Sequence, residues 1–171
     1  NRMLCAAANQ LHPLCSVQDE SMLILHYAPD NASLILRLAL EEAGLRYKTQ
    51  LVDRAVRAQK TPAYLALNPT GLIPTLETPD GPMAETGACL LWLSDSCPDA
   101  GLAPKIGDPA RGLFLRWLFF LSNTFHADLN RIFYPDRVVP PEAVAAHHTL
   151  VTNRLKGHLC ILDDACSANP S

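Results

Sequence analysis

The chain has 171 residues, 49% of them hydrophobic and 18% charged, with a formal net charge of −3. That balance supports a packed core and excludes an intrinsically disordered chain. It gives no reason to expect a nucleic-acid or anionic-membrane partner, and no apolar run approaches the roughly 18 residues that span a bilayer.

Residues 1–21 show no periodicity. Charge is sparse there, and the apolar stretch from Leu11 to Val17 is broken by His12, Pro13 and Ser16, which argues against a signal peptide. The segment reads as a disordered extension with no function of its own. The six cysteines are Cys5, Cys15, Cys89, Cys97, Cys160 and Cys166. None forms a C-x-x-C pair and no Cys/His cluster has zinc-ligand spacing, so no metal is expected. They read as reduced thiols, which points to the cytoplasm.

Residues 22–27 (MLILHY) form a short apolar run followed by Pro29 and Asp30, a strand and then a turn. Asp30, Asn31 and Ser33 are all good N-cap types, and they introduce a helix over 34–43 with Gly44 at its C-terminal end. Residues 47–52 alternate as a second strand, parallel to the first if the helix is their crossover. Residues 61–67 predict a short helix ended by Asn68-Pro69. Strands at 73–78 and 82–84 flank the hairpin signal Pro79-Asp80-Gly81. A helix follows over 85–94, with Ala88, Leu91 and Trp92 on one face.

The order is βαβαββα over residues 22–98. Residues 99–107 are a Gly/Pro-rich linker. Beyond it strand signals stop: one helix runs from Asp108-Pro109 to about residue 133, and another from Pro140-Pro141 to about 165. The fold class is therefore α/β plus all-α, with an all-helical domain over 108–171.

Three groups of residues carry candidate chemistry. Pro74 leads an internal strand, where it lacks a ladder donor. A cis Ile73–Pro74 bond would turn the Ile73 N–H and C=O toward an extended peptide ligand, whereas a trans proline at a strand edge is the bland alternative. Glu85-Thr86 falls at a helix start, where free N–H groups and the dipole accept a carboxylate. Thr86 could donate to that carboxylate and Glu85 could pair with an ammonium, together fitting an α-amino-acid head group; simple capping is the alternative. Phe119, Phe120, Phe125, Phe133 and Tyr134 could line an apolar pocket or simply be core. His26, His147 and His148 read as surface or satisfied histidines.

Asn-Pro-Thr-Gly-Leu-Ile-Pro-Thr-Leu (68–76), Glu-Thr-Gly-Ala (85–88) and Leu-Trp-Leu-Ser-Asp (91–95) resemble the glutathione-binding half of the glutathione transferases. The resemblance implies a thioredoxin-like N-terminal domain and a helical C-terminal one, here incomplete and ending where the family's fifth helix ends. The chain is then a fragment or a decayed copy. The resemblance also implies a cis Pro74. Leu72, Ile73 and Pro74 would contact the cysteinyl part of glutathione, and Glu85 and Thr86 its γ-glutamyl end. Arg57, Gln59 and Lys60 are available for the glycyl carboxylate, and spacing does not choose among them.

For thiol activation the resemblance offers several positions. Leu25-His26-Tyr27-Ala28-Pro29 resembles the bacterial beta class, but Ala32 falls where that class has its cysteine. Tyr27 matches the catalytic tyrosine of the alpha, mu and pi classes. Ser33, with Arg37 four residues on, resembles a Ser-x-x-x-Arg pattern of other bacterial members. A hydroxyl at a helix N-terminus can lower a thiol pKa, which favours Ser33; Asn31 is a third candidate, as an amide donor.

The activity implied is conjugation of the glutathione thiolate to small electrophiles, or peroxide reduction with it, in a cytoplasmic, detoxifying homodimer. A non-catalytic binding or scaffold protein, and a glutathione-dependent isomerase or lyase, are the alternatives.

Overall fold

The computed structural model describes residues 22–168, so the extension read at 1–21 lies outside the described residues. The chain divides into two compact units, one ending at Phe114 and the other beginning at Leu115.

In the first unit, β1 (Leu23–Tyr27) lies at the centre of a four-stranded sheet ordered β2-β1-β3-β4. β2 (Tyr47–Leu51) runs parallel to β1, with Leu23 opposite Tyr47 and Tyr27 opposite Leu51. β3 (Thr75–Thr78) is antiparallel to β1, with Thr75 opposite His26. β4 (Gly81–Met83) closes a hairpin onto β3. β3 starts at Thr75, two residues later than the sequence suggested, because its ladder with β1 begins there.

Between β1 and β2 runs α1 (Ser33–Glu42), which buries Ser33, Leu36, Ala39 and Leu40, the three- and four-residue spacing of one helix face. Its N-cap is Ala32, with no side-chain cap bond. None of the three expected capping residues holds that position; Asn31 instead accepts the Ser33 N–H at 3.1 Å. The C-terminus ends as predicted. Gly44, at φ +64°, donates to Glu41 and Leu45 donates to Leu40, the paired closure of a Schellman motif.

α2 (Pro62–Leu67) precedes β3, and α3 (Thr86–Ser96) follows β4. The core joins Leu23 and Leu25 of β1, Leu36 and Leu40 of α1, Leu76 of β3, and Cys89 and Leu93 of α3. The wholly buried seam of α3 is therefore Cys89 and Leu93, four apart; of the expected Ala88, Leu91 and Trp92, Trp92 packs half-buried against this core and Ala88 is exposed. Residues 89–93 are apolar without interruption, so their pattern could not single out a face. Burial pushes the Cys89 thiol up to about 12. Cys160 and Cys166 are exposed thiols, whereas Cys97 is disulfide-bonded, against the expectation of reduced cysteines throughout.

α4 (Arg111–Phe119) begins in the first unit. Its opening residue is tied there by an ion pair to Asp95 at 2.8 Å and a bond from Arg111 Nη1 to the Pro104 carbonyl.

The second unit continues this helix through a π-helical segment (Phe120–Phe125) into α5 (His126–Phe133), where the sequence predicted one regular helix. α6 (Val144–Ala168) packs against α5. Asp128 of α5, wholly buried, pairs with Arg131 at 2.6 Å and, on α6, with Arg154 at 3.1 Å and His158 at 3.0 Å. Phe120 and Phe125 meet the His158 ring in T-shaped contacts, while Phe119 and Phe133 are exposed. The aromatic residues thus form no continuous stripe. Among the described residues no helix is long and apolar enough to cross a membrane.

Candidate functional site

Strand register decides which loops meet. β1 and β2 are parallel, so their C-terminal ends lie side by side; β3 is antiparallel to β1 and enters at that same end. Extending the β1–β3 register by two residues sets Ile73 opposite Ala28. Extending the β3–β4 register in the same way, from the Leu76–Met83 pair, sets Pro74 opposite Glu85. The loop after β1, the segment after β2, the approach to β3 and the start of α3 therefore share one end of the sheet. This is the end where open sheets containing parallel strands bind ligands.

The approach to β3 is rigidly built. Asn68 Oδ1 accepts from both the N–H and the hydroxyl of Thr70, and the Gly71 N–H returns to the Asn68 carbonyl at 2.9 Å. The Leu72 carbonyl receives two donors, the Tyr64 hydroxyl at 2.7 Å and Asn68 Nδ2 at 2.9 Å. The Ile73–Pro74 peptide bond that follows is cis. Burial raises the Tyr64 phenol above its ordinary value, so it stays a donor at neutral pH.

Glu85 sits at the N-cap of α3 with φ +67° and ψ +107°, a backbone conformation that a non-glycine residue holds only against steric cost. Its side chain makes no cap bond and is exposed. The first helical bond of α3 runs from the Cys89 N–H to the Glu85 carbonyl, so the earlier N–H groups of the turn have no intrahelical partner. Beside the half-buried Thr86 they give the start of α3 an electropositive character.

The three candidates for thiol activation occupy different settings. Ser33 is 2% exposed, and its hydroxyl is turned back into its own loop. It accepts from the Ala28 N–H at 3.3 Å and donates to the Ala28 carbonyl at 3.1 Å. Tyr27 packs against the core cluster. Asn31 is half-buried; its Oδ1 is fixed by the Ser33 N–H, and its Nδ2 makes no hydrogen bond among the described residues.

Of the basic candidates, Lys60 is held nearest the β3 approach, donating to the Thr70 carbonyl at 3.2 Å. Arg57 adopts a left-handed backbone ahead of a short 3-10 turn. Gln59 Oε1 is buried with no hydrogen-bond partner among the described residues. His26 is a satisfied histidine, as expected: its Nε2 lies 2.7 Å from Glu77 Oε1 and its ring meets that of Tyr64 edge-on. Sequence reasoning missed Tyr64 and Arg54. The first lies on the helix immediately before the turn it braces, and the second reaches back to the Pro29 carbonyl at 2.7 Å.

A β2-β1-β3-β4 sheet flanked by helices, with a cis-proline entering β3, defines a thioredoxin-like domain followed by a helical region. The sequence profile of the glutathione S-transferase N-terminal domain matches residues 32–97. Glutathione S-transferase GstA of Escherichia coli O157:H7 is 30% identical over 114 residues, 66% of this chain and 57% of that protein. A sphingomonad glutathione S-transferase solved in complex with glutathione is 35% identical with a TM-score of 0.70, covering 84% of this chain and 70% of that one. A glutathione transferase homologue from Sulfitobacter with bound glutathione is 31% identical with a TM-score of 0.71, covering 80% and 66%. The chain belongs to the glutathione transferase family. It spans a little over half the length of the Escherichia coli relative.

Proposed function

We propose that the chain binds glutathione at this end of the sheet and activates its thiol for attack on small electrophiles. The observation that carries this reading is the convergence of Ile73, Glu85, Thr86 and the β1–α1 loop, set by strand register. Ile73, lying outside the β1–β3 ladder, offers backbone groups to the cysteinyl residue. Thr86 and the first turn of α3 receive the γ-glutamyl carboxylate, and Glu85 pairs with the α-ammonium. The Lys60 ammonium, with one donor on Thr70, keeps others for the glycyl carboxylate.

The thiolate is stabilised by Asn31 Nδ2 together with the N-terminal dipole of α1. Asn31 is favoured over Ser33 because the Ser33 hydroxyl is already engaged twice by Ala28. Catalysis then consists of holding an ionised thiol beside the electrophile, a positioning and electrostatic task. Calorimetric titration with glutathione, paired with an aryl-halide conjugation assay, tests the reading. Saturable binding with turnover is expected; absence of binding overturns it.

A second reading, a glutathione-binding protein without catalysis, is favoured by one observation. Neither Ala32 nor the engaged Ser33 hydroxyl supplies a free donor at the helix start. Binding without turnover in the same pair of experiments would select it.

A further inference from the structure

We propose that Tyr64 and Asn68 are positioning residues for glutathione, clamping the Leu72 carbonyl from α2 and its C-terminal cap and so fixing the direction in which the Ile73 N–H points. The inference rests on the glutathione-binding reading above.

A trans peptide is planar, with its C=O and N–H on opposite sides. Leu72–Ile73 is such a unit, so two donors that hold its oxygen also hold its N–H. Both donors come from groups with no freedom of their own. Tyr64 is 5% exposed and Asn68 2%. The Tyr64 ring is seated edge-on against His26 at 5.9 Å, and His26 is anchored by Glu77. The Asn68 amide is oriented by the two bonds its oxygen accepts from Thr70. Leu72 itself is 52% exposed, and nothing about its side chain would hold the peptide still. A donor fixed before the ligand arrives loses less freedom on binding.

The Tyr64 hydroxyl also meets Thr75 Oγ1 at 3.0 Å, and this second contact supplies the control. Tyr64→Phe keeps the ring and removes both contacts, whereas Thr75→Val removes only the contact with Thr75 and leaves the Leu72 clamp intact. Asn68→Asp removes the other clamp donor but keeps the acceptor for Thr70.

Calorimetric titration of glutathione into the full chain and these variants tests the proposal. Tyr64→Phe and Asn68→Asp should each weaken glutathione binding about 3- to 10-fold, the net effect of one hydrogen bond. KM for glutathione should rise with kcat within about twofold, because neither residue meets the thiol. Thr75→Val should lower the melting temperature yet leave the dissociation constant within about twofold, which a purely structural role for Tyr64 would not allow. Unchanged affinity in Tyr64→Phe, or an equal loss in Thr75→Val, overturns the proposal while leaving glutathione binding standing. A wild-type chain that binds no glutathione overturns both.

Discussion

Lys60 lies across Gly71. Its ammonium donates to the neighbouring Thr70 carbonyl, and a Cβ on Gly71 would stand 2.6 Å from Lys60 Nζ and 2.9 Å from the Gln59 backbone oxygen. Lysine can swing away; a backbone oxygen cannot. With φ at +62°, Gly71→Ala adds left-handed strain to that collision and should cost about 2 kcal/mol. Denaturant unfolding measures it, and a loss below about 0.5 kcal/mol would mean that the segment after β2 yields freely.

Glu85 holds a backbone conformation suited to glycine. Glu85→Gly should therefore stabilise the chain by about 1 kcal/mol, as relief of strain outweighs the added entropy of the unfolded glycine. Glutathione affinity should fall by about 1–3 kcal/mol with the lost charge-assisted bond. Thr86→Ala should weaken binding without the gain in stability. Thermal melting beside calorimetry separates the two effects, and a Glu85→Gly variant that melts lower than wild type would show that the conformation carries no strain.

Asp128 braces α5 to α6. Burial alone would raise its carboxyl, but the hydrogen bonds from Arg131 and His158 and the charges of Arg154 and Arg131 outweigh it and hold the group below its usual value. Its contribution is therefore fully present above the unfolded carboxyl value of about 3.9. It is lost as pH falls through the lower folded value. Asp128→Asn strips one partner from a buried cluster and should destabilise by about 2–3 kcal/mol near neutrality, discounted because Arg131 and Arg154 are part exposed. The gap between variant and wild type should narrow below about pH 4. A gap that stayed constant down to about pH 2 would show that this carboxylate does not set acid stability.

Ser33 and Asn31 should separate cleanly. Ser33→Ala leaves the Ala28 N–H and C=O without the hydroxyl they share and should lower stability by about 1–2 kcal/mol with kcat largely retained. Asn31→Ala should lower kcat about tenfold or more, as expected for a lost donor to a developing charge. Equal losses of kcat in both variants would return Ser33 to the role of thiol donor.

Much of the first unit was legible because its signals are local. Gly44 needs a left-handed C-terminal position, Pro79-Asp80-Gly81 turns a hairpin, and the apolar run of β1 matches a strand at the centre of its sheet. What escaped the sequence depends on contacts between distant residues. Nothing in 33–37 distinguishes a serine aimed at a ligand from one bonded to a carbonyl five residues back. The seam of α3 was hidden by apolar residues all round it. The Arg111–Asp95 pair joins residues sixteen apart. In the candidate site, the proposed binding edge at 72–74 and the pair 85–86 were readable as a motif, whereas Tyr64 bonds to another residue's carbonyl and leaves no pattern.

The π-helical turn over Phe120–Phe125, where the His126 N–H reaches back five residues to Leu121, also bears on chain length. A wide turn holds one residue more than an α-helix needs between the same two ends. Removing one of Ser122 or Asn123 would let the segment relax to ordinary pitch without rotating α5, so Asp128 would still meet His158. A deletion within α5 ahead of Asp128 would turn that carboxylate by about 100° and break the brace. Within this long helix, the six residues from Phe120 are the place where the chain can change length and keep its phase.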